Sequence, residues 1–215
     1  MSFKKNEIFT LKKVKKDGSI DSGTLKNIVT AIIENGFIVI PVDGLYGLVS
    51  RAGPDFEKKI IKKISGKDED LVYLISSFKM LNDLCDVSKG EYDFLHRVWP
   101  GEVIVKMKKK EAKKGDDEII IWFPKNKFMQ DLINTINGPL LFVSTVISHS
   151  KLVYEKEDIV HKYKTKAQNI FIIEEYCKEI PLPTVLDISC GSLDFIHDGR
   201  VSVDEIKSLY FLDKE

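Results

Sequence analysis

Hydrophobic residues in the first half of the chain follow two alternating patterns. From Ser22 to Gly36 they recur at the spacing of one helical face, and serine at the start and glycine at the end are typical helix caps. Residues 37–42 are almost continuously apolar and predict a buried strand. A second helix, which begins near Pro54 and is followed by Gly66, and a second strand over 71–76 come next. Helices that alternate with buried strands indicate the α/β fold class.

The second half of the chain is richer in strand patterns. A helix over 91–98 is ended by a Trp-Pro-Gly sequence. Strands over 102–107 and 118–123 flank the charged connection 108–117, which favours a hairpin with a solvated tip. The other predicted elements are helices at 125–137, 158–166 and 203–209 and strands at 140–144, 169–174, 184–188 and 193–197. We therefore expect one twisted mixed sheet with packed helices, in a single domain that spans the chain.

The charge balance limits the classes of partner. The 215 residues include 33 Lys+Arg and 33 Asp+Glu, so the net charge of zero gives no general attraction to nucleic acid or to an anionic membrane. No apolar run approaches the ~20 residues that span a bilayer, and the N-terminus lacks the apolar core of a secretory signal. We therefore expect a cytoplasmic protein. The lysine run at 108–114 is interpreted as the hairpin tip, with local RNA contact as the alternative.

Cysteine and histidine indicate no metal site. Cys85, Cys177 and Cys190 are odd in number, widely spaced and outside any C-x-x-C pattern, so they favour neither a disulfide framework nor a zinc site. The four histidines lack metal-ligand spacing. The sequence therefore predicts reduced thiols and no metal ligands.

Candidate chemistry begins where the first strand ends. After Pro41 we expect a polar loop that carries Asp43 and Tyr46 at the carboxyl end of a strand, where open α/β sheets favour ligand binding. Asp43 can orient a ligand or bind Mg²⁺, or it can brace the turn through backbone amides. Tyr46 can stack over a pocket, or it can be a half-buried aromatic residue with a satisfied hydroxyl.

Seven short segments occur in an informative order. They are P-V-D-G-L-Y-G-L at 41–48, S-G-K at 65–67, W-P-G-E-V-I at 99–104, W-F-P at 122–124, S-T-V-I-S-H at 144–149, P-T-V-L-D at 183–187 and H-D-G at 197–199. In this order, across residues 20–200, they resemble the motifs P-T-D-T-x-Y-G-L, K-x-R, W-P-G-P-x-T, R-x-P, S-A-N-x-S-G, S-T-x-x-D and R-x-G. These are the motifs of the YrdC-like family, the threonylcarbamoyl-adenylate synthases of tRNA modification. The resemblance implies a YrdC-like fold.

The resemblance also implies an activity and a site. Family enzymes are nucleotidyltransferases that condense ATP, as its Mg²⁺ complex, with threonine and bicarbonate into threonylcarbamoyl-AMP and pyrophosphate. No tightly bound cofactor is expected. The implied binding residues are Asp43 and Tyr46, which shape the site, Ser65 and Lys67 near phosphate or carboxylate, Ser144 and Ser148 toward nucleotide or threonine, and Thr184 toward the amino acid. The two serines at 144 and 148 and Thr184 can instead cap backbone groups at strand ends.

Departures from the family pattern fall on polar residues. Ser65 stands in place of the family lysine, and the family arginines are replaced by Lys67, Trp122 and His197. The family asparagine and two threonines are replaced as well, by Val146, Val42 and Gly44. Lysine cannot reproduce the two-pronged contact of arginine with phosphate or carboxylate. Two functions follow: a synthase that serves the tRNA-modification machinery, or a family member without synthase chemistry that binds double-stranded RNA or a nucleotide.

Overall fold

The computed structural model describes residues 7–63, 70–113, 116–144 and 153–212. Within these ranges, none of the helices has the length and apolar character needed to cross a membrane. The helices are α1 Ser22–Asn35, α2 Pro54–Lys63, α3 Phe78–Leu84, α4 Lys89–Val98, α5 Lys127–Ile136, α6 Lys156–Tyr163 and α7 Val203–Phe211, with a 3₁₀ turn at Glu174–Tyr176. The strands are β1 Glu7–Leu11, β2 Ile38–Val42, β3 Leu45–Arg51, β4 Asp70–Leu74, β5 Val103–Lys113, β6 Asp116–Trp122, β7 Leu140–Ser144, β8 Asn169–Ile173, β9 Thr184–Asp187 and β10 Asp194–His197.

The strands form one mixed sheet in the order β1-β8-β2-β3-β7-β4-β6-β5-β9-β10. Four neighbouring pairs are parallel, namely β1–β8, β2–β8, β4–β6 and β5–β9. Alternate residues of β2 belong to different hydrophobic clusters, with Ile38 and Ile40 in one and Val39 in the other. One cluster includes apolar residues of α1 and α5, and the other includes those of α4, α6 and α7. The predicted fold class, a mixed sheet with packed helices, is confirmed.

Helix α1 shows how the local sequence sets a boundary. Asp21, rather than the expected Ser22, caps its N-terminus, and its carboxylate accepts a hydrogen bond from the Thr24 backbone N–H at 2.9 Å. Aspartate and serine are both good caps, so the sequence alone did not show which of these two neighbouring residues caps the helix. At the other end Gly36 adopts a φ of 79°, and its N–H donates to the Ile32 carbonyl, as the sequence predicts.

The prediction of a polar loop that carries both Asp43 and Tyr46 after Pro41 is wrong. β2 and β3 form a hairpin in which Pro41 pairs with Tyr46, and only Asp43 and Gly44 make the turn. Both turn residues have positive φ, 45° and 88°, which suits a tight Asp-Gly hairpin turn. Proline is tolerated here because β8 pairs only with the first two residues of β2, so the Pro41 position has no partner on that side.

Three further elements differ from the sequence prediction. β1 and α3 were not predicted: β1 is a short, largely exposed edge strand, and α3 follows β4 after only three residues. Much of the charged connection expected at 108–117 instead lies in β5 and β6, where Lys108 pairs with Glu118 and Lys113 with Asp116, with a shift of register between the two pairs. Lys108 and Glu118 carry opposite charges, and such a cross-strand pair stabilises polar residues in a ladder.

Candidate functional site

A cleft of about 560 Å³ opens beside the turn between β2 and β3. Its walls come from four other parts of the chain: the residue before β5, the loop after β6, the 3₁₀ turn with the segment that follows it, and the loop before α7. The lining residues are Asp43, Gly44, Glu102, Lys125, Asn126, Tyr176, Lys178, Ile180, Pro181 and Arg200. The volume is typical of pockets that bind small molecules.

The Asp43 carboxylate holds the loop after β6 against the hairpin turn. One oxygen accepts a hydrogen bond from the Lys125 backbone N–H at 2.8 Å, and the other accepts one from the Asn126 N–H at 2.9 Å. Burial raises the pKa of Asp43 to about 6, although these two hydrogen bonds act in the opposite direction. Of the two sequence interpretations, this geometry shows the bracing of a turn. A role in ligand binding stays a prediction.

Arg200 connects three walls of the cleft. Its Nη1 atom forms an ion pair with the Glu102 carboxylate at 3.1 Å, and its Nη2 atom donates to the Asp43 carbonyl at 3.1 Å. Its Nε atom donates to the Pro181 carbonyl at 2.6 Å. The side chain is only 10% exposed, so these partners neutralise and solvate a largely buried charge.

Sequence reasoning missed Arg200, because the motif order placed the family arginine at His197. A usable signal was its rarity: the chain has three arginines among 33 basic residues. Arginine is favoured over lysine where a cation is buried and must satisfy several acceptors in a fixed geometry. His197 lies in the edge strand β10 and is partly exposed.

The rim of the cleft combines cationic and aromatic groups. Lys125 and Lys178 are both exposed at the rim. The Tyr176 hydroxyl accepts a hydrogen bond from the Asn126 side-chain amide at 2.6 Å, and burial raises the pKa of this tyrosine. Together with the apolar Ile180, these residues can contact both an anionic group and a flat apolar one.

Tyr46 lies in β3 and does not line the cleft. Its hydroxyl accepts a hydrogen bond from the Ile173 N–H at 2.9 Å and donates to the Ile173 carbonyl at 3.0 Å. The ring is buried, and burial raises the pKa of the hydroxyl. Tyr46 thus joins β3 to the end of β8. Its predicted contact with a ligand stays a prediction.

Thr184 is fully buried at the start of β9. Its Oγ1 atom donates to the Val201 carbonyl at 2.6 Å and accepts hydrogen bonds from the backbone N–H groups of Gly199 and Val201, at 3.2 and 3.0 Å. These bonds fix the loop that presents Arg200 to the cleft. The expected contact of Thr184 with an amino acid stays a prediction.

Ser65, Lys67 and Ser148 lie outside the described residues. Ser144 is the last residue of β7 and pairs with Asp70, the first residue of β4. The last residue of β7 and the first residue of β4 therefore lie side by side in the sheet. Binding by these four residues stays a prediction.

Trp122 stands where the family R-x-P motif has arginine, and it is completely buried. Its Nε1 atom donates to the Gly101 carbonyl at 2.8 Å, and its ring centroid lies 6.3 Å from that of Phe142. The indole therefore belongs to the hydrophobic core. No cationic side chain can occupy this position while the tryptophan fills it.

The lysine-rich hairpin carries its own counter-charges. Lys106 forms ion pairs with Glu118 at 2.5 Å and with Asp187 at 3.1 Å. Lys108 faces Glu118 across the ladder, and the Lys110 ammonium donates to the Asn82 carbonyl at 2.8 Å. In the part of the chain that the structure describes, no three His, Cys, Asp or Glu side chains are grouped so that they could hold a metal ion.

The fold is similar to those of three solved proteins. It matches P. abyssi Sua5 complexed with L-threonine with a TM-score of 0.78 and 19% identity, over 94% of this chain and 60% of that one. It matches E. coli YciO with a TM-score of 0.76 and 15% identity, over 94% and 99%. A full-length HypF in the phosphate- and nucleotide-bound form gives a TM-score of 0.67 and 19% identity, over 82% and 29%.

The chain thus spans only 60% of the Sua5 chain that it resembles. At these identities the structural likeness shows the fold alone. The family is shown by a sequence model. The model for Sua5, YciO and YrdC proteins, described as "Telomere recombination", matches residues 30–199. That range includes the hairpin, Trp122 and Thr184. The chain belongs to the Sua5/YciO/YrdC family.

Proposed function

We propose that this protein binds an adenine nucleotide in the cleft beside the Asp43–Gly44 turn and does not synthesise threonylcarbamoyl-AMP. The proposal rests on one contrast. Lys125 and Lys178 offer cations at the rim of the cleft, whereas the polar atoms of Asp43, Tyr46 and Thr184 bond the protein's own main chain.

The cleft suits a ligand with an anionic end and a flat end. The two exposed lysines can contact phosphate oxygens, and Tyr176 with Ile180 offers aromatic and apolar surface to a base. Its volume accommodates a mononucleotide. HypF, a protein of similar fold, has been solved in a nucleotide-bound form, which is consistent with this choice of ligand.

Loss of synthase chemistry is inferred from the residues at positions 122 and 197. Release of pyrophosphate requires cations around the triphosphate to neutralise the charge that develops. At position 122 a buried indole replaces the family arginine, and at position 197 a partly exposed histidine replaces another. Each charge-assisted hydrogen bond lost costs roughly 1.5–3 kcal/mol, so two lost arginines lower turnover by orders of magnitude.

A second candidate is the synthase itself, with ATP as its Mg²⁺ complex, threonine and bicarbonate as substrates. Family membership favours it, as does the Sua5 structure that contains L-threonine. In that case Lys67, Ser144 and Ser148 would supply contacts to the substrates. Double-stranded RNA is less favoured as a ligand, because Lys106 and Lys108 of the β5–β6 hairpin face carboxylates and the net charge is zero.

Two measurements on one preparation test the proposal. Calorimetric titration with ATP and Mg²⁺ is expected to show saturable binding. Incubation with ATP, Mg²⁺, bicarbonate and threonine is expected to release no pyrophosphate above the protein-free control. Threonine-dependent pyrophosphate release would establish the synthase instead. Absence of ATP binding, with salt-sensitive binding of double-stranded RNA, would replace the proposal with the RNA ligand.

Matched lysine variants locate the binding. The double variant Lys125→Ala/Lys178→Ala is expected to weaken ATP binding by about tenfold, since two exposed ion pairs together contribute up to about 2 kcal/mol. Lys79→Ala/Lys207→Ala removes the same charge from exposed positions outside the cleft. Equal weakening by both pairs would show that net charge, and not the cleft, controls binding.

A further inference from the structure

Glu102 is a carboxylate of the cleft that keeps an unbonded acceptor. Its Oε1 atom accepts a hydrogen bond from Arg200 Nη1 at 3.1 Å. Within the described residues no donor forms a hydrogen bond with its other oxygen, Oε2, and the side chain is 36% exposed. Asp43 differs, because both of its carboxylate oxygens accept backbone N–H groups. Glu102 is therefore the acidic residue of the cleft with an oxygen available to a ligand.

The surrounding structure holds Glu102 in place before any ligand binds. Its backbone carbonyl accepts a hydrogen bond from the Thr184 N–H at 3.1 Å, beside the parallel pairing of β5 with β9. Its carboxylate is fixed by Arg200, which is itself held by the carbonyls of Asp43 and Pro181. An acceptor that is already ordered loses little conformational entropy when a ligand donates to it.

Glu102 lies between the two ends of the proposed ligand. Glu102 and Lys125 both line the cleft and also an adjoining cavity of about 180 Å³, so these two side chains are neighbours. In the other direction Arg200 joins Glu102 to the carbonyl of Pro181, the residue next to Ile180. Lys125 is proposed to contact phosphate and Ile180 to contact the base. The ribose is the part of a nucleotide that lies between those groups.

The chemistry of Glu102 requires a hydrogen-bond donor on the ligand. The family motif W-P-G-P-x-T has proline where this chain has Glu102, so the carboxylate is a departure from that motif. A carboxylate beside a phosphate-binding lysine repels an anionic ligand, and covering its free oxygen without a donor adds a desolvation cost. A ribose hydroxyl supplies the donor and removes that cost.

We propose that Glu102 Oε2 accepts a hydrogen bond from a ribose hydroxyl of the bound nucleotide, so that the cleft selects ribonucleotides. The inference rests on the proposed function, because its ligand is the adenine nucleotide of that proposal. A site that hydrogen-bonds a ligand hydroxyl rejects the analogue that lacks it, since the acceptor of the site is then left unpaired. The loss of one hydrogen bond to a charged acceptor corresponds to about tenfold to hundredfold in affinity.

Calorimetric titration with ATP and with 2′,3′-dideoxy-ATP, each with Mg²⁺, tests the contact. We expect the native protein to bind the dideoxy analogue about tenfold to hundredfold more weakly than ATP. Glu102→Gln is expected to bind both nucleotides equally. Arg200 has only donors to offer, so the glutamine oxygen turns toward it and the amide nitrogen, which cannot accept, faces the ligand. Glu205→Gln removes the same charge from the adjoining cavity and is expected to keep the native ratio.

The ratio of the two affinities separates recognition from a structural role. If Glu102 only neutralises Arg200, its substitution changes both affinities alike, and a native ratio that persists in Glu102→Gln would overturn the proposal. Equal binding of ATP and the dideoxy analogue by the native protein would also overturn it while upholding the proposed function. Absence of binding by either nucleotide would refute the proposed function and the ribose contact together.

Discussion

Asp43→Asn is the sharpest test of how the hairpin turn is built. The substitution keeps the size of the side chain but removes its charge and one of its two acceptors. In the native protein the two carboxylate oxygens accept the N–H groups of Lys125 and Asn126. Asparagine can accept only one of these, so the other N–H loses its partner. We expect this loss alone to lower the free energy of unfolding by about 1–3 kcal/mol.

The pH dependence separates charge from hydrogen bonding. Burial raises the pKa of Asp43 from 3.8 to about 6. Below about pH 4 the carboxyl is protonated in both the folded and the unfolded protein, so its titration has no effect on stability. Between about pH 4 and 6 the unfolded chain ionises while the folded protein keeps its proton, and the free energy of unfolding falls as pH rises. The total loss is about 3 kcal/mol, at about 1.4 kcal/mol per tenfold change in proton affinity.

Urea unfolding at pH 4, 5, 6 and 7 measures this effect. At pH 4 Asp43→Asn is expected to be less stable than the native protein, because the hydroxyl oxygen of the protonated carboxyl still accepts an N–H and the amide nitrogen of asparagine does not. The variant is expected to lose that disadvantage by pH 7, because only the native protein then carries a buried charge. Asp83→Asn, at an exposed aspartate of α3, is the control and is expected to follow the native curve. Native and Asp43→Asn curves that run parallel from pH 4 to 7 would refute a raised pKa for Asp43.

Two further substitutions test the buried polar contacts. Tyr46→Phe is expected to lower the free energy of unfolding by about 1–3 kcal/mol, since the Ile173 N–H loses its acceptor; a difference near zero in urea unfolding would show that this bond contributes little. Trp122→Ala is expected to cost about 3–5 kcal/mol because the side chain is completely buried, and Trp122→Phe is expected to cost less. If thermal unfolding is unaffected by Trp122→Ala, the indole is not part of the core.

The elements that the sequence predicted well are those with a strong apolar period and clear end signals. β7 occurs at the predicted residues 140–144, and α5 lies within its predicted range. β2 lies within the predicted strand 37–42, but the β2–β3 hairpin was missed because the glycine-containing residues after it were interpreted as a polar loop. The Asp43–Gly44 pair was the stronger local signal, since Asp-Gly favours a two-residue hairpin turn.

The candidate site was less predictable than the fold. Motif order brought Asp43 to the cleft, but Arg200 and Ile180 lie outside the motifs, and their roles depend on loops that meet only in the folded chain. The sequence also could not distinguish a ligand contact from a bond to the main chain. For Thr184 the partners are 15 and 17 residues away along the chain. Only the tertiary structure shows that those bonds are made.

The central claim is that the cleft binds a nucleotide without synthase turnover. The most direct measurement is ATP titration of the native protein and of Lys125→Ala/Lys178→Ala, with pyrophosphate release assayed in the same samples after addition of threonine and bicarbonate. We predict saturable binding to the native protein, binding about tenfold weaker in the double variant, and no pyrophosphate from either. Threonine-dependent pyrophosphate release, or ATP binding that the double substitution leaves unchanged, would contradict the account.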